Sequence, residues 1–477
     1  MLHRLHPLKR TSRLLLQRHP PNLRRCFHSE TVLSELEDRG FISAVTRREQ
    51  LIGTLQASRQ TVYSGIDPTA RSLHVGHLLP MMCLVHFQLQ GHHIIPLIGG
   101  ATALIGDPSG RSAERPHLER AAVEEDMQKL TANVQTFFDR ALAYAAKKRP
   151  SSQESYSTAR VMNNIEWLGE LGLLEFLRST GIYARVNTMI ARDSVQSRLK
   201  SQQGISFAEF SYQLLQAYDF FSLNKRAGCT IQIGGSDQWG NIIAGIELIN
   251  RTTNSSTSGT SEGDRGFGIT TPLLTTATGE KFGKSSGNAV WLDESFTSVF
   301  DFYQASHNFF MRTLDDDVGR YLRLFTLLPL STIDDIVSKH QKHPQQRIAQ
   351  KILADEVTEL VHTVQGVKRA QAATKVLFET DLTDILANDV LHAFRGDTRL
   401  HFVNSNEIFG VPVAHLAVRY KLAPSNGAAR ALVSSGGLYL NGMAIVSGQV
   451  LSSRDLIDGN LVILRAGKSK HAIMSLA

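Results

Sequence analysis

Residues 61–77 read TVYSGIDPTARSLHVGH and combine a short strand with the start of a helix. The first six residues are apolar, β-branched or small, which predicts a short strand. A helix-length, mostly apolar stretch at 75–90 and a second short apolar stretch at 93–98 follow. Strand, helix and strand joined by short turns form the βαβ unit of a parallel sheet. The sequence therefore predicts an α/β fold.

A third strand is predicted at 229–233 and ends at Gly234-Gly235, with a helix following from about Asp237 to Asn250. Glycines and an acid at the carboxyl end of a parallel strand are typical of nucleotide sites, where the acid meets ribose hydroxyls. A capped turn would explain the same letters, because Ser236 or Asp237 is a good N-cap.

His74 and His77 stand at the start of the first predicted helix, with Gly76 between them. A helix N-terminus offers unpaired N–H groups and a positive dipole end, both of which favour phosphate. Gly76 lets a flat group approach the backbone closely. The pattern favours a site that holds ATP with its α-phosphate open to attack. Two half-buried structural histidines are the alternative.

The segment KFGKSS at 281–286, called the lysine loop below, places Lys281 and Lys284 on a glycine-containing loop, followed by Ser285. Such a loop is suited to clamping a triphosphate. It is not a Walker A loop, because only three residues separate Gly279 from Gly283 where that motif needs four. An exposed lysine-rich turn is the alternative.

A third polar group lies in the predicted helix 207–224, where Tyr212, Gln216 and Asp219 share one face. Apolar residues flank them, so this face is expected to line a pocket. A carboxylate in such a pocket could accept a hydrogen bond from a phenolic hydroxyl. A partly exposed helix face is the alternative.

The basic excess of the chain sits at its start. The net charge is +7, and residues 1–29 hold seven Lys and Arg and no acid, so the rest of the chain is balanced. An Arg-rich, acid-free leader without a long apolar centre is typical of a mitochondrial transit peptide, and a basic tail is the alternative. No run of about 18 apolar residues predicts a membrane span. The three cysteines lack zinc or disulfide spacing and favour a reducing compartment.

The last segment, 411–477, carries seven basic residues against two acids. A basic module on a neutral body is a candidate RNA contact, and a solvated surface with chance imbalance is the alternative. Two polar stretches, 147–158 and 252–264, are predicted to be surface insertions.

Together the motifs resemble those of the class I tyrosyl-tRNA synthetases, in particular the mitochondrial branch. The segment His74–His77 is similar to the HIGH-type signature and 281–285 to the KMSKS-type signature. The resemblance implies a Rossmann-like parallel-sheet catalytic domain with a dimerisation insert at 30–295. It also implies a helical anticodon-binding domain at 296–398 and a small α+β S4-like RNA-binding domain at 411–477.

The resemblance also implies roles for single residues. Tyrosine would be bound by Tyr63, Asp107, Tyr212, Gln216, Asp219 and Gln238. ATP and the adenylate would meet Ser64, Gly65, Asp67, Gly76, Arg111, Arg115, Gly235, Asp237 and Lys284. Catalysis would rest on His74, His77, Lys281, Lys284 and Ser285, which stabilise the α-phosphate and the departing pyrophosphate. Arg111 departs from the lysine of bacterial relatives, so its reach toward pyrophosphate differs.

The partners implied are tRNA(Tyr), L-tyrosine, ATP with Mg²⁺ and a second copy of the chain, without a tightly bound metal or a membrane, in the mitochondrial matrix. A tryptophanyl synthetase would share the catalytic fold. The pair Tyr63 and Asp219, which by the resemblance would hydrogen-bond the substrate hydroxyl, and the S4-like segment argue against it. A small nucleotidyltransferase would lack the lysine loop and need no RNA module. An added role in intron splicing stays open beside catalysis.

Overall fold

The computed structural model describes residues 31–68, 72–109, 120–149, 156–200, 204–254, 265–273, 284–285, 288–304, 314–379, 381–382, 384–467 and 469–476. The predicted leader, 1–29, lies outside these described residues. Within the described ranges, no helix combines the length and the apolar character needed to cross a membrane.

A mixed, mostly parallel sheet forms the centre of the first half of the chain. Its strands are β1 (Ala44–Val45), β2 (Thr61–Ile66), β3 (His93–Ile98), β4 (Met162–Asn163), β5 (Cys229–Gly235) and β6 (Phe267–Thr271). They lie in the order β1-β6-β5-β2-β3-β4, and only β1 runs antiparallel to its neighbour. The strand order reverses beside β2, which opens a crevice between the ends of β2 and β5.

Helices cover both faces of this sheet. The helices of this half of the chain are α1 (Val32–Arg39), α2 (Arg48–Ala57), α3 (Leu78–Leu89), α4 (Gly100–Ile105), α5 (Arg120–Lys148), α6 (Ile165–Leu168), α7 (Leu173–Ser179), α8 (Val186–Ile190), α9 (Asp193–Leu199), α10 (Phe207–Ala227) and α11 (Trp239–Asn254). Val62 and Ile94 pack on the side of α3, whereas Tyr63 and Ile95 pack on the side of α10 and α11. This alternation along the strands turns Tyr63 toward α10.

A helical region follows the sheet. Its helices are Asp315–Phe325, Leu330–Lys342, Ile348–Phe378 and Ala387–Ala393. The first begins with three aspartates, which favour the positive end of a helix. The long helix is interrupted at Thr363, whose φ of 69° is non-helical. The first three helices share one apolar cluster with α1, α3 and α5, so this region packs onto the α/β half of the chain.

The chain ends in a second sheet with short helices. The helices are Ser405–Ile408, Val413–Arg419 and Asn426–Ser434, and the strands are β9 (Leu400–Val403), β10 (Leu438–Leu440), β11 (Met443–Ala444), β12 (Leu461–Ala466) and β13 (Lys470–Leu476). A two-stranded hairpin, β7 (Lys284–Ser285) with β8 (Asn288–Ala289), lies before them in the chain. Because β9 pairs in parallel with β13, this sheet begins before residue 411. Ile463 and Ile473 pack against Val376 and Phe394 of the helical region.

The predicted α/β class is confirmed, and strands β2 and β3 run over the predicted residues. The predicted helix at 75–90 begins with a 3-10 turn, Val75–His77, before α3. Pro80 lies in the first turn of α3, where its missing N–H leaves no intrahelical bond unmade. The predicted helix at 207–224 extends to Ala227 and ends at Gly228, whose φ of 60° suits glycine.

Candidate active site

The crevice between β2 and β5 collects most of the predicted site residues. Tyr63, Ser64 and Gly65 lie at the carboxyl end of β2, beside Gln232 and Ile233 of β5. The turn Ser236–Gln238 continues from β5 and supplies Asp237 and Gln238. In an open parallel sheet this position, where the strand order reverses, is where ligands bind.

A buried polar pair lies at the base of the crevice. The Tyr63 hydroxyl is buried without a hydrogen-bond partner among the described residues. Asp219, on α10, accepts hydrogen bonds from Trp167 Nε1 at 2.7 Å and Asn164 Nδ2 at 3.0 Å. Burial raises the pKa of Asp219 to about 7, although these two donors lower it. Burial, and then the nearby charge of Asp219, raise the pKa of Tyr63 well above its ordinary value. The pair can therefore take a hydroxyl that both donates and accepts.

Asn164 was missed by the sequence reasoning, as was Trp167. Asn164 is fully buried and also accepts from Ala101 N at 2.8 Å and donates to Thr102 Oγ1 at 3.0 Å. It ties α4 to Asp219 and fixes the direction in which the carboxylate faces. Both residues follow the strand β4, which has only two residues and is too short to show a periodic pattern. The sequence therefore contained no signal that would have singled out Asn164 or Trp167.

A second polar group lies around Asp107. Its Oδ2 accepts from Gln238 Nε2 at 2.8 Å, and its Oδ1 accepts from Ser109 N at 2.8 Å. Asn241 Nδ2 donates to Gln238 Oε1 at 3.1 Å, which orients the Gln238 amide. On α10, the Gln216 Oε1 is buried without a partner among the described residues. A carboxylate and a bare amide oxygen are the acceptors that an ammonium group needs.

Tyr212 is nine-tenths buried, one helical turn before Gln216 on α10. The structure thus places Tyr212 and Asp219 in the protein interior, as the helical spacing predicts. For these two residues, the structure does not support the alternative of a partly exposed helix face.

The two histidines of the HIGH-type signature are held by backbone groups. His74 Nδ1 accepts from Gly76 N at 3.1 Å, and His77 Nδ1 accepts from His74 N at 3.2 Å. The rings stack with centroids 3.9 Å apart. Because each Nδ1 is an acceptor, each neutral ring carries its proton on Nε2 and can act as a donor there. Gly76 is exposed beside them, which leaves the backbone accessible to a ligand.

The segment that follows the lysine loop is anchored next to these histidines. Val75 N donates to Val290 O at 3.1 Å, and Leu292 N donates to Leu73 O at 2.8 Å. Lys281, Arg111 and Arg115 lie outside the described residues. Only the backbone of Lys284 and Ser285 is described, as β7 of the short hairpin.

The side expected to hold the adenylate contains little side-chain bulk. A Cβ built on Gly65 meets nothing within 4 Å, whereas one on Gly235 would lie 2.5 Å from Asp237 Oδ1. Ser64 is buried and Asp67 is half-buried. Glycine at 235 thus keeps the Asp237 carboxylate in its place at the mouth of the crevice. Among the described residues, no cluster of three or more His, Cys, Asp or Glu could hold a metal ion.

Comparison with known proteins gives consistent matches. A family model described as tRNA synthetases class I (W and Y) matches residues 56–379, more than half of the chain. Tyrosine–tRNA ligase 1 of Bacillus licheniformis is 40% identical over 445 residues, which cover 93% of this chain and 99% of that one. Tyrosine–tRNA ligase 1 of Bacillus subtilis is 41% identical with the same coverage.

A solved structure is similar as well. The C-terminally truncated mitochondrial tyrosyl-tRNA synthetase of Aspergillus nidulans has a TM-score of 0.66 and 36% identity to this chain. The match covers 73% of this chain and 94% of that one. The family model, which ends at residue 379, extends through the α/β half and into the helical region.

Proposed function

We propose that this chain, which belongs to the class I tRNA synthetases for tryptophan and tyrosine and is a tyrosine–tRNA ligase, charges tRNA(Tyr) for mitochondrial translation. The observation that carries the proposed binding mode is the buried pair Tyr63 and Asp219. A phenolic hydroxyl between them would accept from the unpartnered Tyr63 hydroxyl and donate to the Asp219 carboxylate. The group around Asp107 and Gln216 would then hold the α-ammonium.

In the first step, the tyrosine carboxylate attacks the α-phosphorus of ATP and the bond to the bridging oxygen breaks, releasing pyrophosphate. The nucleophile is already ionised, so no general base is needed. The protein must orient the two substrates and neutralise charge that develops on the phosphates. His74 and His77 would donate from Nε2, while Lys281, Lys284 and Ser285 would meet the leaving pyrophosphate. Mg²⁺ would arrive with ATP.

Pyrophosphate exchange tests the proposed function with the chain lacking residues 1–29. Tyrosine, tryptophan and phenylalanine are offered separately with ATP and labelled pyrophosphate. Exchange with tyrosine alone is expected, because only its hydroxyl satisfies Tyr63 and Asp219. Exchange with tryptophan alone would mean that the chain activates tryptophan, the other amino acid that the family model covers. Folded protein without exchange for any of the three would contradict the proposal.

The mitochondrial context is supported by the acid-free basic leader at 1–29 and by the mitochondrial relative of known structure. The matrix is the compartment that such a leader addresses. A reporter fused to residues 1–35 is expected to be imported into mitochondria, whereas a version with its seven basic residues changed to glutamine stays outside. Cytosolic location of the unchanged fusion would refute the targeting role.

A homodimer is supported by an exposed apolar surface between residues 173 and 207. Its most exposed members are Leu173, Leu174, Ile182, Val186 and Phe207, of which Phe207 is 80% exposed. Apolar surfaces of this kind usually mark an interface. We propose that two copies of the chain meet there.

Changing Phe207→Asp is expected to halve the mass measured by light scattering, because a desolvated carboxylate at the interface costs several kcal/mol. The matched control is Phe402→Asp, at a phenylalanine that is 71% exposed in the C-terminal sheet. It should leave the mass unchanged. A monomeric unchanged protein, or a dimeric Phe207→Asp variant, would remove this surface from the proposal.

Transfer of tyrosine to the tRNA requires a surface for a polyanion. Three exposed cations lie on or near the two packed helices Val413–Arg419 and Asn426–Ser434. Arg419 ends the first helix, Lys421 lies two residues beyond it, and Arg430 lies in the second helix. Arg465 lies over the Tyr439 ring at 4.2 Å on the neighbouring strands. Cations beside a partly exposed aromatic ring are suited to phosphate and base contacts. We place the proposed tRNA contact here.

A further inference from the structure

Two segments beside the histidines are joined by contacts that the proposed substrate binding does not explain. The segment Val290–Leu292 leaves the lysine loop and bridges to Leu73–Val75, which leads into the histidines. His74 itself forms the bridge with Trp291, and their ring centroids lie 6.0 Å apart. Backbone hydrogen bonds therefore join the segment that follows the lysine loop to the segment that carries the histidines, so a shift of one moves the other.

A single side chain reaches both segments. Asn133, near the middle of α5, donates from Nδ2 to Asp293 Oδ2 at 2.9 Å and lies 3.4 Å from Ser72 Oγ. Asp293 directly follows the bridged segment, and Ser72 directly precedes Leu73. Asn133 thus contacts both ends of the bridge from a rigid helix.

The other oxygen of Asp293 is also fixed. Its Oδ1 accepts from Ser295 N at 2.8 Å and from Ser295 Oγ at 2.7 Å. Burial alone would raise the pKa of Asp293, but these bonds and the one from Asn133 hold that pKa below its ordinary value. The carboxylate is therefore ionised at neutral pH, and its bond to Asn133 is charge-assisted and directional.

The surroundings of this contact are not packed core. Asn133, Arg140, Asp293 and Glu294 line a cavity of about 370 Å³ between α5 and the segment after the loop. Asn133 is half-buried at its wall. A polar side chain at the edge of a wide cavity contributes little packing, so its removal is not expected to unfold the domain. Its direction and its partners fit a role in alignment.

We propose that Asn133, through Asp293, is a positioning residue that holds the segment Val290–Leu292, which follows the lysine loop in the chain, against the segment that carries His74 and His77. The proposal rests on the phosphate roles given to those residues under the proposed function. Misplacing groups by about 1 Å at a reacting centre costs on the order of 10²-fold in rate. A carboxylate at 133 would repel Asp293 and loosen the bridge without touching the tyrosine pocket.

The test compares Asn133→Asp with the exchanged pair Asn133→Asp/Asp293→Asn in tyrosine-dependent pyrophosphate exchange. The exchanged pair restores one donor and one acceptor, because the amide introduced at position 293 donates to the carboxylate introduced at position 133. The amide oxygen at position 293 still accepts from Ser295. We expect kcat to fall about tenfold or more in the single variant. The KM for tyrosine should stay within about twofold, and the pair should recover to within about threefold. Gln135→Asp, which adds the same charge beside Asp139 on the surface of α5, is the control.

A single variant with unchanged kcat would overturn the positioning role, as would a pair no better than the single variant. Equal losses in kcat and tyrosine affinity, together with a lowered melting temperature, would also overturn it, since they indicate a structural role alone. Failure of the proposed function is distinguishable, because the unchanged protein would then give no exchange with tyrosine.

Discussion

Changing Asp219→Asn is expected to remove most of the preference for tyrosine over phenylalanine. Tyrosyl-tRNA synthetases are themselves the standard example of such selectivity, at about 10⁵ against phenylalanine. Phenylalanine is disfavoured because it leaves the buried Tyr63 hydroxyl without a partner and offers no hydroxyl donor to the buried Asp219 carboxylate. With a neutral amide at 219, kcat/KM for tyrosine should fall to within about 10²-fold of that for phenylalanine. Pyrophosphate exchange with each amino acid measures the ratio.

The same variant gives a second measurement through pH. Burial places the pKa of Asp219 at about 7 in the free protein, and only the ionised carboxylate is a pure acceptor for the phenol. Binding therefore releases a proton from the fraction of Asp219 that is protonated. The affinity for tyrosine should weaken as pH falls below about 7, by at most about tenfold per pH unit. Calorimetry across about pH 6 to 8 should show this trend in the unchanged protein and a flat profile in Asp219→Asn.

Asn224→Ala is the matched control, because it removes a hydrogen bond to Cys229 O near the end of the same helix and outside the pocket. It should keep the preference for tyrosine and the pH trend. A preference that survives in Asp219→Asn, or a flat pH profile in the unchanged protein, would remove Asp219 from the phenol site.

The sequence predicted the fold where signals are local. The strand β2 is bounded by polar residues and is followed by Asp67-Pro68, so its ends could be predicted. Helix α10 could be predicted because its apolar residues recur at helical spacing, and the same spacing placed Tyr212, Gln216 and Asp219 on one face. The spacing alone could not predict which strand residues face α10, and only the family resemblance suggested Tyr63 as the partner of Asp219.

The remainder of the site depends on contacts far apart in sequence. Asn164 and Trp167 meet Asp219 across more than fifty residues, and no periodic pattern precedes them. The bridge between Val290–Leu292 and Leu73–Val75 joins two loops, for which hydrophobic periodicity gives no signal. The early start of the C-terminal sheet at β9 has the same cause, because β9 pairs with a strand about seventy residues later.

The packing of that sheet changes how its proposed contact with tRNA should be tested. Deleting 411–477 would remove Ile463 and Ile473, and so expose the apolar surface of Val376 and Phe394 that they cover. Loss of charging after such a deletion could then reflect a damaged helical region. Substitution of exposed cations avoids this, because the Lys421 and Arg430 side chains are exposed and lie outside the apolar clusters.

The double variant Lys421→Glu/Arg430→Glu is expected to lower kcat/KM for tRNA charging about 100-fold while leaving tyrosine-dependent pyrophosphate exchange unchanged. Each lost phosphate contact should also reduce the slope of log kcat/KM against log salt by about one, so the double variant should lose about two. Charging and exchange are measured on the same preparations across a range of salt concentrations.

The control is Lys129→Glu, at an exposed lysine of α5 that pairs with Glu125. It changes the charge of the chain by the same amount per site but lies in the catalytic half. If both variants lower charging equally, the effect comes from net charge and not from a surface. If neither changes the salt slope, the tRNA phosphates are held elsewhere. A loss confined to the double variant, with exchange intact, would mean that the chain recognises its RNA through the C-terminal helices.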